Sequence, residues 1–391
     1  MRHIQFRSMV WTVAVIWLVA CSGSEPKLDD VCDPEGVTRG GQATRGAGNG
    51  QGQVASFMTR NLYLGADLTP VIDAMDLPSL VAGAGAILRQ VTASNFPVRA
   101  KGLAAEILEA KPDLVGLQEV ALWRTGPPSI APLLGAPNTA ATVRYDFLEL
   151  LLDELNAGAE RYRPVVSQVE FDRETPADEN GISGDGPAPT TNAELNARLT
   201  IRDVILERVD AGVCLSNPEG GNFQNLLAFP ILGNAVTVPR GWTRVDARVR
   251  GSRPFRFVNT HLEAFDPNIR ALQASELVAQ GGPATGDLPV ILLGDLNSDD
   301  DTVPPADQQA YRVLQAAGFV ERSTSDPSCC IESSPDLTTG TVAEFDHQVD
   351  HVMTDAPDRV QVVKSFVTGR EMQNGYWDSD HAGVFSELRI R

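Results

Sequence analysis

Apolar residues in the first half of the chain form short runs, and polar residues stand where these runs end. Residues 54–59 are β-prone and lead into Asn61, which predicts a strand that ends at this asparagine. From Pro97, apolar residues recur at the i, i+3, i+4, i+7 spacing of an amphipathic helix. The continuous apolar run 114–117 follows and predicts a buried strand, with Glu119 just beyond it.

The second half of the chain repeats this arrangement. A helix is predicted over residues 267–280, and long loops are predicted over residues 172–197 and 216–225. Three further strands are predicted with polar side chains at or near their ends: residues 255–259 before His261, residues 290–293 before Asp295 and Asn297, and residues 349–353 with Asp350. Polar groups at several strand ends predict a site there, because the sheet holds their positions while the loops vary.

The N-terminus has the pattern of an exported lipoprotein. Arg2 and Arg7 precede an apolar run of about a dozen residues, shorter than the roughly 20 residues that span a bilayer. The run ends in Leu-Val-Ala before Cys21, which resembles a lipobox. Residues 1–20 are therefore predicted to be a signal peptide and Cys21 to carry a lipid that anchors the protein in the cell envelope. The alternatives are an uncleaved anchor or an ordinary signal peptide, and each also places the folded part outside the cytoplasm.

Composition separates a tether from a domain. Residues 21–53 are rich in Gly, Ser, Pro and charge and have almost no aliphatic periodicity, so they are predicted to form a flexible tether. Residues 54–391 are predicted to form one large domain with sheets and helices. No protein partner is evident from the sequence.

The cysteines outside the lipobox are expected to meet an oxidising environment, in which disulfides persist. Cys32, Cys214, Cys329 and Cys330 allow three pairings. A bond between the neighbours Cys329 and Cys330 would close a small strained ring, so we expect each to pair elsewhere or to remain free. A thiolate metal site is the competing interpretation, but the spacing lacks a paired C-x-x-C.

The formal net charge of −19 disfavours a protein that grips polyanions through a broad basic surface. It does not exclude phosphate chemistry, because a bound divalent cation reverses the sign of the field within a cleft. An acidic chain can therefore still bind phosphate esters if a cation is bound first.

Six short segments carry the polar strand ends: residues 59–61 (Thr-Arg-Asn), 113–119 (Asp-Leu-Val-Gly-Leu-Gln-Glu), 259–262 (Asn-Thr-His-Leu), 294–297 (Gly-Asp-Leu-Asn), 349–351 (Val-Asp-His) and 379–381 (Ser-Asp-His). Their order and spacing resemble the motifs of the endonuclease/exonuclease/phosphatase superfamily, which includes deoxyribonucleases, abasic-site endonucleases, neutral sphingomyelinases and inositol polyphosphate phosphatases. The resemblance implies an α+β fold, a four-layer sandwich of two packed mixed β-sheets with helices on the outer faces.

The resemblance also implies a metal site. Glu119 matches the principal Mg²⁺ ligand, with Asn61 beside it and Asp380 supporting the metal region. Oxygen donors suit Mg²⁺, and Mn²⁺ or Ca²⁺ would accept a similar set. Tyr63 stands where nuclease members often carry an acidic residue, so a ligand at that position is in doubt.

Five residues match catalytic positions. Asp295 and Asn297 correspond to the pair that positions the attacking water and the phosphate. His381 corresponds to the terminal catalytic histidine, and Asp350 to the carboxylate that orients it and stabilises its charged form. His261 corresponds to a histidine that serves the leaving group or a phosphate oxygen.

These matches predict a metal-dependent phosphoesterase that cleaves phosphodiester or phosphomonoester bonds outside the cytoplasm. Nucleic acid and a phospholipid headgroup are both open as substrates, although no basic stripe with interleaved aromatic residues supports nucleic acid. The alternative is a catalytically inactive binding lipoprotein that retains the fold. Preserved geometry of the polar residues would favour the enzyme.

Some residues near the motifs have two interpretations. Arg198, Arg202 and Asp203 precede an apolar strand and either reach the cleft or form surface salt bridges. Trp123 and Trp377 flank motif loops and either stack on a substrate or pack beneath a loop.

Overall fold

The computed structural model describes residues 52–190, 192–249, 253–299 and 305–391. The predicted signal peptide, the lipidation residue Cys21, Cys32 and nearly all of the predicted tether lie outside the described residues. Among the described residues, no helix is both long enough and apolar enough to cross a membrane.

The strands are β1 (Gln53–Asn61), β2 (Leu114–Gln118), β3 (Leu122–Gly126), β4 (Thr142–Asp146), β5 (Tyr162–Ala177), β6 (Leu195–Arg208), β7 (Val213–Asn222), β8 (Leu227–Ile231), β9 (Asn234–Val238), β10 (Gly241–Val249), β11 (Phe255–His261), β12 (Val290–Asp295), β13 (Val320–Glu321), β14 (Asp350–Thr354), β15 (Val360–Thr368) and β16 (Gly383–Ile390). The helices are α1 (Thr69–Ile72), α2 (Leu77–Ala93), α3 (Phe96–Ala110), α4 (Phe147–Leu155), α5 (Pro267–Val278) and α6 (Gln309–Ala316).

The strands form two mixed sheets and a separate β8–β9 hairpin. The first sheet has the order β15-β16-β1-β2-β6-β3-β4, and β5 also pairs with β6. The second has the order β13-β14-β12-β11-β10-β7. One adjacent pair in each sheet is parallel, β1 with β2 and β11 with β12, and the other paired strands are antiparallel.

Alternation along the central strands explains why the sheets stack. In β1, Phe57 belongs to the apolar core between the sheets, whereas its neighbour Met58 belongs to the core under α2, α3 and α4. In β12, Leu293 faces the first sheet and Leu292 packs with α5 and α6. Continuous apolar runs are therefore buried on both faces. The predicted four-layer α+β sandwich is confirmed.

A glycine and a pair of amides bring the sheets close together beneath their polar edge. A Cβ atom added at Gly116 would lie 2.3 Å from Leu293 Cδ1 and 2.6 Å from Asn259 Oδ1 of the opposite sheet. Beside it, Gln118 Nε2 donates to Asn259 Oδ1 across 2.6 Å. Glycine is required at position 116 because a side chain would separate the two layers.

Local sequence sets the helix ends. The Asp76 side chain accepts from the Ser79 backbone N–H and begins α2, and Asp266 caps α5 in the same way. Helix α3 ends before Lys111, which has a φ of +53°, and Pro112 cannot continue it. The helices predicted from Pro97 and over residues 267–280 are thus present as α3 and α5.

Two predicted loops are partly strands. The loop predicted over residues 172–197 spans only residues 178–194, because β5 and β6 extend into it as a long antiparallel pair. The loop predicted over residues 216–225 is largely β7, which pairs with β10. Glycine and proline suggested loops there, but backbone hydrogen bonds to a neighbouring strand stabilise an extended chain whatever its side chains.

The prediction for the adjacent cysteines is wrong. Cys329 and Cys330 form a disulfide with each other, and their Cα atoms lie 3.1 Å apart. The peptide bond between them is cis, a geometry that the prediction did not consider. Cys214 is also disulfide-bonded.

Candidate active site

The two parallel strand pairs carry polar residues to one edge of the sandwich. Asn61 ends β1, and Glu119 directly follows β2, its parallel neighbour in the first sheet. In the second sheet, His261 ends β11 and lies in register with Asp295, which ends β12. Parallel strands end at the same edge, so each pair lies together, and the hydrogen bond from Asn61 Nδ2 to Asp295 Oδ2 joins the two pairs across the sheets.

Two antiparallel strands begin at this edge. Asp350 is the first residue of β14 and lies in register opposite Asp295. His381 precedes β16, which runs antiparallel to β1. The Ser379 hydroxyl donates to the Asn61 carbonyl across 2.8 Å and so ties this segment to the end of β1.

Asp295 is the centre of the cluster. Its Oδ2 accepts a hydrogen bond from Asn61 Nδ2 at 3.0 Å, and lies 3.4 Å from His261 Nε2 and 3.6 Å from His381 Nε2. Its Oδ1 accepts from the Asn297 backbone N–H at 2.9 Å. Burial raises the pKa of Asp295 above its ordinary range, which makes this carboxylate a better proton acceptor.

The ring of His381 faces the carboxylate of Asp350. Its Nδ1 lies 2.9 Å from Asp350 Oδ2, and both side chains are buried. Burial opposes the charged imidazolium, but the negative charges of Asp350 and Asp295 outweigh it and hold the pKa of His381 well above its ordinary value. This histidine is therefore charged at neutral pH.

The ring of His261 faces the positively charged guanidinium of Arg240. Its Nδ1 lies 2.9 Å from Arg240 Nη1, and both residues are buried. A guanidinium has only donors, so Nδ1 accepts and the ring proton sits on Nε2, towards Asp295. Burial and the charge of Arg240 lower the pKa of His261 well below its ordinary value. His261 is neutral and presents an N–H donor.

Arg240 and Glu170, which the sequence did not indicate, lie with Asp203 in a buried group near His261. Glu170 and Asp203 are buried near His261. Burial raises the pKa of Glu170 to about 7, and burial together with the negative charge of Glu170 raises the pKa of Asp203 well above its ordinary value. Arg240 is the cation that faces this group.

Two of the residues predicted to hold a metal, Glu119 and Asp380, are close enough for their charges to interact. Burial, and then repulsion from Asp380, raise the pKa of Glu119 to about 7, and burial also raises that of Asp380. Glu119 Oε2 accepts from the Leu64 backbone N–H at 2.7 Å, and Asn61 Oδ1 accepts from the Tyr63 N–H at 2.9 Å. Two mutually repelling carboxylates and an amide oxygen fit a hard divalent cation, which would relieve the repulsion.

The three acids and bases Asp295, Asp350 and His381 also place ligand atoms within 4.8 Å of one another. The hydrogen bond between His381 Nδ1 and Asp350 Oδ2 explains the closeness of this group without a cation. Glu119 and Asp380 are therefore the better candidates for a metal site.

Backbone strain occurs at two of the predicted residues. Glu119 has a φ of +54° and Asn297 a φ of +48°. Non-glycine residues held in this region tend to lie at functional sites, where the surrounding structure supports the strain. At both positions the left-handed backbone conformation occurs just after the preceding strand has ended.

The two ambiguous arginines before the apolar strand form ion pairs near the surface. Arg198 Nε donates to Asp172 at 2.7 Å and Arg202 pairs with Asp146, so both follow the surface interpretation. Asp203 instead belongs to the buried group around Arg240.

Both tryptophans are buried beneath loops. Trp123 donates to the Leu64 carbonyl at 2.9 Å and Trp377 to the Thr339 carbonyl at 2.8 Å. The Tyr63 hydroxyl donates to the Pro335 carbonyl at 2.7 Å. These contacts occupy their polar atoms.

A two-sheet sandwich that gathers carboxylates, amides and two histidines at one edge has the architecture of a hydrolytic enzyme. The chain belongs to the Endonuclease/Exonuclease/phosphatase family, whose sequence pattern matches residues 81–381. Members of this family are phosphoester hydrolases, including nucleases and phosphatases.

Similar solved structures include an endonuclease/exonuclease/phosphatase from Beutenbergia cavernae DSM 12333, with 18% identity, coverage of 86% of this chain and 72% of that chain, and a TM-score of 0.48. A family protein from Bacteroides thetaiotaomicron has 17% identity, coverage of 87% and 99%, and a TM-score of 0.48. The human Nocturnin catalytic domain with bound sulfate has 14% identity, coverage of 86% and 94%, and a TM-score of 0.46. No curated protein matched this chain.

Proposed function

We propose that this protein is a divalent-metal-dependent phosphoesterase that hydrolyses phosphodiester or phosphomonoester bonds outside the cytoplasm, where a lipid on Cys21 anchors it. The observation that carries the proposal is the position of Asp295 between a charged and a neutral histidine. Hydrolysis of a phosphate ester needs a proton acceptor for water, a proton donor for the leaving oxygen and donors to the phosphate oxygens. These three groups supply each of them.

Glu119, Asp380 and Asn61 would hold Mg²⁺ or a similar hard cation. When bound, the cation neutralises charge that grows on the phosphate oxygens. The raised pKa values of the two carboxylates support this role, because a bound cation would stabilise their charged forms against burial.

Asp295 orients the attacking water and accepts its proton. Asn297 supports this carboxylate through its backbone N–H, while its side-chain Nδ2 donates to the Leu262 carbonyl at 3.0 Å. Burial favours the protonated form of Asp295, so the carboxylate takes up the proton readily.

The two histidines supply the proton for the leaving oxygen and a hydrogen bond to the phosphate. His381, kept charged by Asp350, donates a proton to the leaving oxygen. His261 stays neutral and donates a hydrogen bond from Nε2 to a phosphate oxygen. Asp295 Oδ2 lies 3.6 Å from His381 Nε2, so a small approach returns the proton taken from water to His381 and restores the starting state.

The test is hydrolysis of DNA, RNA, sphingomyelin and inositol phosphates with Mg²⁺ or with EDTA. Glu119→Gln should raise the Mg²⁺ concentration needed for half-maximal activity by about 10–100-fold, as loss of a metal-supporting group does. Glu109→Gln is the matched control, because Glu109 is exposed on α3. Activity that persists in EDTA would contradict metal dependence, and no turnover of any substrate by folded protein would favour the inactive binding lipoprotein.

The anchor is tested separately by fractionating cells. Wild-type protein should sediment with membranes and become soluble in detergent, whereas Cys21→Ser should lose the lipid detected by metabolic labelling. Equal labelling of both proteins would contradict lipidation at Cys21.

A further inference from the structure

The adjacent cysteines lie directly against the charged catalytic histidine. Cys329 Sγ is 3.8 Å and Cys330 Sγ is 3.7 Å from His381 Nε2. This nitrogen is the atom that carries the transferable proton in the proposed mechanism. The proposed mechanism uses neither sulfur, so this contact needs a separate account.

Backbone hydrogen bonds hold the cysteine segment in place on two sides. Cys329 exchanges hydrogen bonds with His347, its N–H donating across 3.0 Å and its carbonyl accepting across 3.3 Å. On the other side the segment bonds to the residues around His381: the Ala382 N–H to the Ser328 carbonyl at 2.7 Å and the Ile331 N–H to the Asp380 carbonyl at 2.9 Å. The backbone of the two cysteines is therefore held beside His381 when the disulfide is reduced.

The pair can be reached from solvent. Cys329 is buried, but Cys330 is half-buried and lines an open depression of about 490 Å³. The other lining residues are Glu332, Ser333, Glu344, Asp346 and His347. Three of these carry carboxylates, so the entrance attracts cations.

Two thiolates and an imidazole form a soft donor set. The ligand atoms of Cys329, Cys330 and His381 lie within 4.8 Å of one another, and sulfur and imidazole nitrogen prefer Zn²⁺ over Mg²⁺. We propose that the reduced Cys329–Cys330 pair and His381 Nε2 form a second metal site, which takes Zn²⁺ or another thiophilic divalent cation. It differs from the oxygen site at Glu119 in donor chemistry.

The site forms in two balanced steps. A phosphine reductant cleaves the S–S bond with one water, giving two thiols and one phosphine oxide. Binding of Zn²⁺ then releases two thiol protons and the Nε2 proton of His381, and three new metal–ligand bonds form. The disulfide offers no thiolate, so the oxidised protein lacks this site.

Zinc bound there should inhibit the enzyme. It occupies His381 Nε2, so this nitrogen can no longer donate a proton to the leaving oxygen. The expected loss of rate is that of one general acid, about 10²–10⁴-fold. The inhibition should be absent from the oxidised protein and reversed by a zinc chelator.

The decisive experiment is calorimetric titration of the full-length protein with Zn²⁺ in saturating Mg²⁺, with and without phosphine reductant. The reduced protein should bind one Zn²⁺ at this site at least about 100-fold more tightly than the oxidised protein, since both thiolates are lost on oxidation. His381→Ala should weaken binding by about 10–100-fold. This readout does not depend on catalysis, so it stands apart from the phosphoesterase test.

Matched variants locate the bound zinc. Cys329→Ser/Cys330→Ser should lose the tight binding, whereas Cys214→Ser, which removes a cysteine of another disulfide, should keep it. If the double variant fails to fold, alkylation of the reduced wild type at Cys330 replaces it and should block binding. Equal affinity of oxidised and reduced protein, or unchanged affinity after loss of the pair or of His381, would overturn the proposal.

Discussion

Two buried histidines flank Asp295 at similar distances, yet their surroundings are opposite. His381 Nδ1 faces the carboxylate of Asp350, and His261 Nδ1 faces the guanidinium of Arg240. Burial by itself disfavours the charged form of both rings and so acts to lower both pKa values. The hydrogen-bond partner of Nδ1 therefore decides which ring is charged, and a single pair of atoms separates a proton donor from a neutral hydrogen-bond donor.

The strongest test of this difference removes the charged ring. His381→Ala should lower kcat by about 10²–10⁴-fold, because a general acid is lost. The wild type should lose activity as pH rises through the raised pKa of His381, since only the protonated ring can donate. Rates of both proteins measured across pH 5–10 check this, and a similar alkaline decline in the variant would contradict the assignment.

A smaller change keeps the ring and removes its acid partner. Asp350→Asn should lower kcat by about 10–100-fold, as loss of an orienting carboxylate does. The alkaline decline should also move to lower pH, because the imidazolium loses the negative charge that stabilises it. Asp153→Asn, an exposed change on α4, is the matched control and should leave the pH–rate profile unchanged.

The neutral histidine can be tested by removing its basic partner. Arg240→Met should raise the pKa of His261, which is followed by ¹⁵N NMR of the ring nitrogens. The rate should fall by about tenfold, the equivalent of one hydrogen bond of about 1.4 kcal/mol. Arg240→Lys keeps a donor and should preserve the Nε2–H form. An Arg240→Met spectrum with unchanged His261 shifts would show that Arg240 does not set the tautomer.

A third buried histidine, His351, has no role in the proposed mechanism but is also paired with a carboxylate. His351 Nδ1 lies 2.6 Å from Glu321 Oε2 and its Nε2 lies 2.9 Å from the Ser298 carbonyl. Both partners are acceptors, so both nitrogens carry protons. Burial opposes this charge, but Glu321 outweighs it and raises the pKa of His351, while the histidine lowers that of Glu321.

This pair should affect stability and leave the rate unchanged. The raised pKa of His351 gives stability that is full below about pH 6.5 and is lost as pH rises through the folded pKa. The lowered pKa of Glu321 gives stability that is lost as pH falls below about 4.5. Glu321→Gln should therefore lower the free energy of unfolding by about 1–3 kcal/mol near pH 6. Thermal unfolding at pH 6 and at pH 9 should show a smaller difference between the two proteins at pH 9.

The strand-end residues can be located from the sequence, because a buried strand is a continuous apolar run with a recognisable start and end. The apolar runs 114–117 and 290–293 are enough by themselves to place Glu119 and Asp295 just past a sheet edge. The order of six such ends then indicates the family and, with it, the layers. Site roles beyond these positions remain predictions.

Arg240 could not be predicted from the sequence, because its contact with His261 depends on how two strands pair. It lies 21 residues before His261, and the two meet because β10 pairs with β11 so that Gly241 lies opposite His261. Glu170 and Asp203 lie on β5 and β6 of the first sheet, where nothing in the local pattern marks them as neighbours of His261. Register between strands decides such contacts, and a single sequence does not reveal register across long separations.

The position of β16 has a consequence for when the protein becomes active. This strand lies between β1 and β15, and His381 lies two residues before its first residue. A growing chain can make β1, β2, β11 and β12 long before β16 is synthesised, yet it lacks His381, the proposed donor of the leaving-group proton. The proposed role of His381 implies that hydrolytic activity arises only after β16 has been made and has inserted beside β1, so that the unfinished chain stays inert during its synthesis.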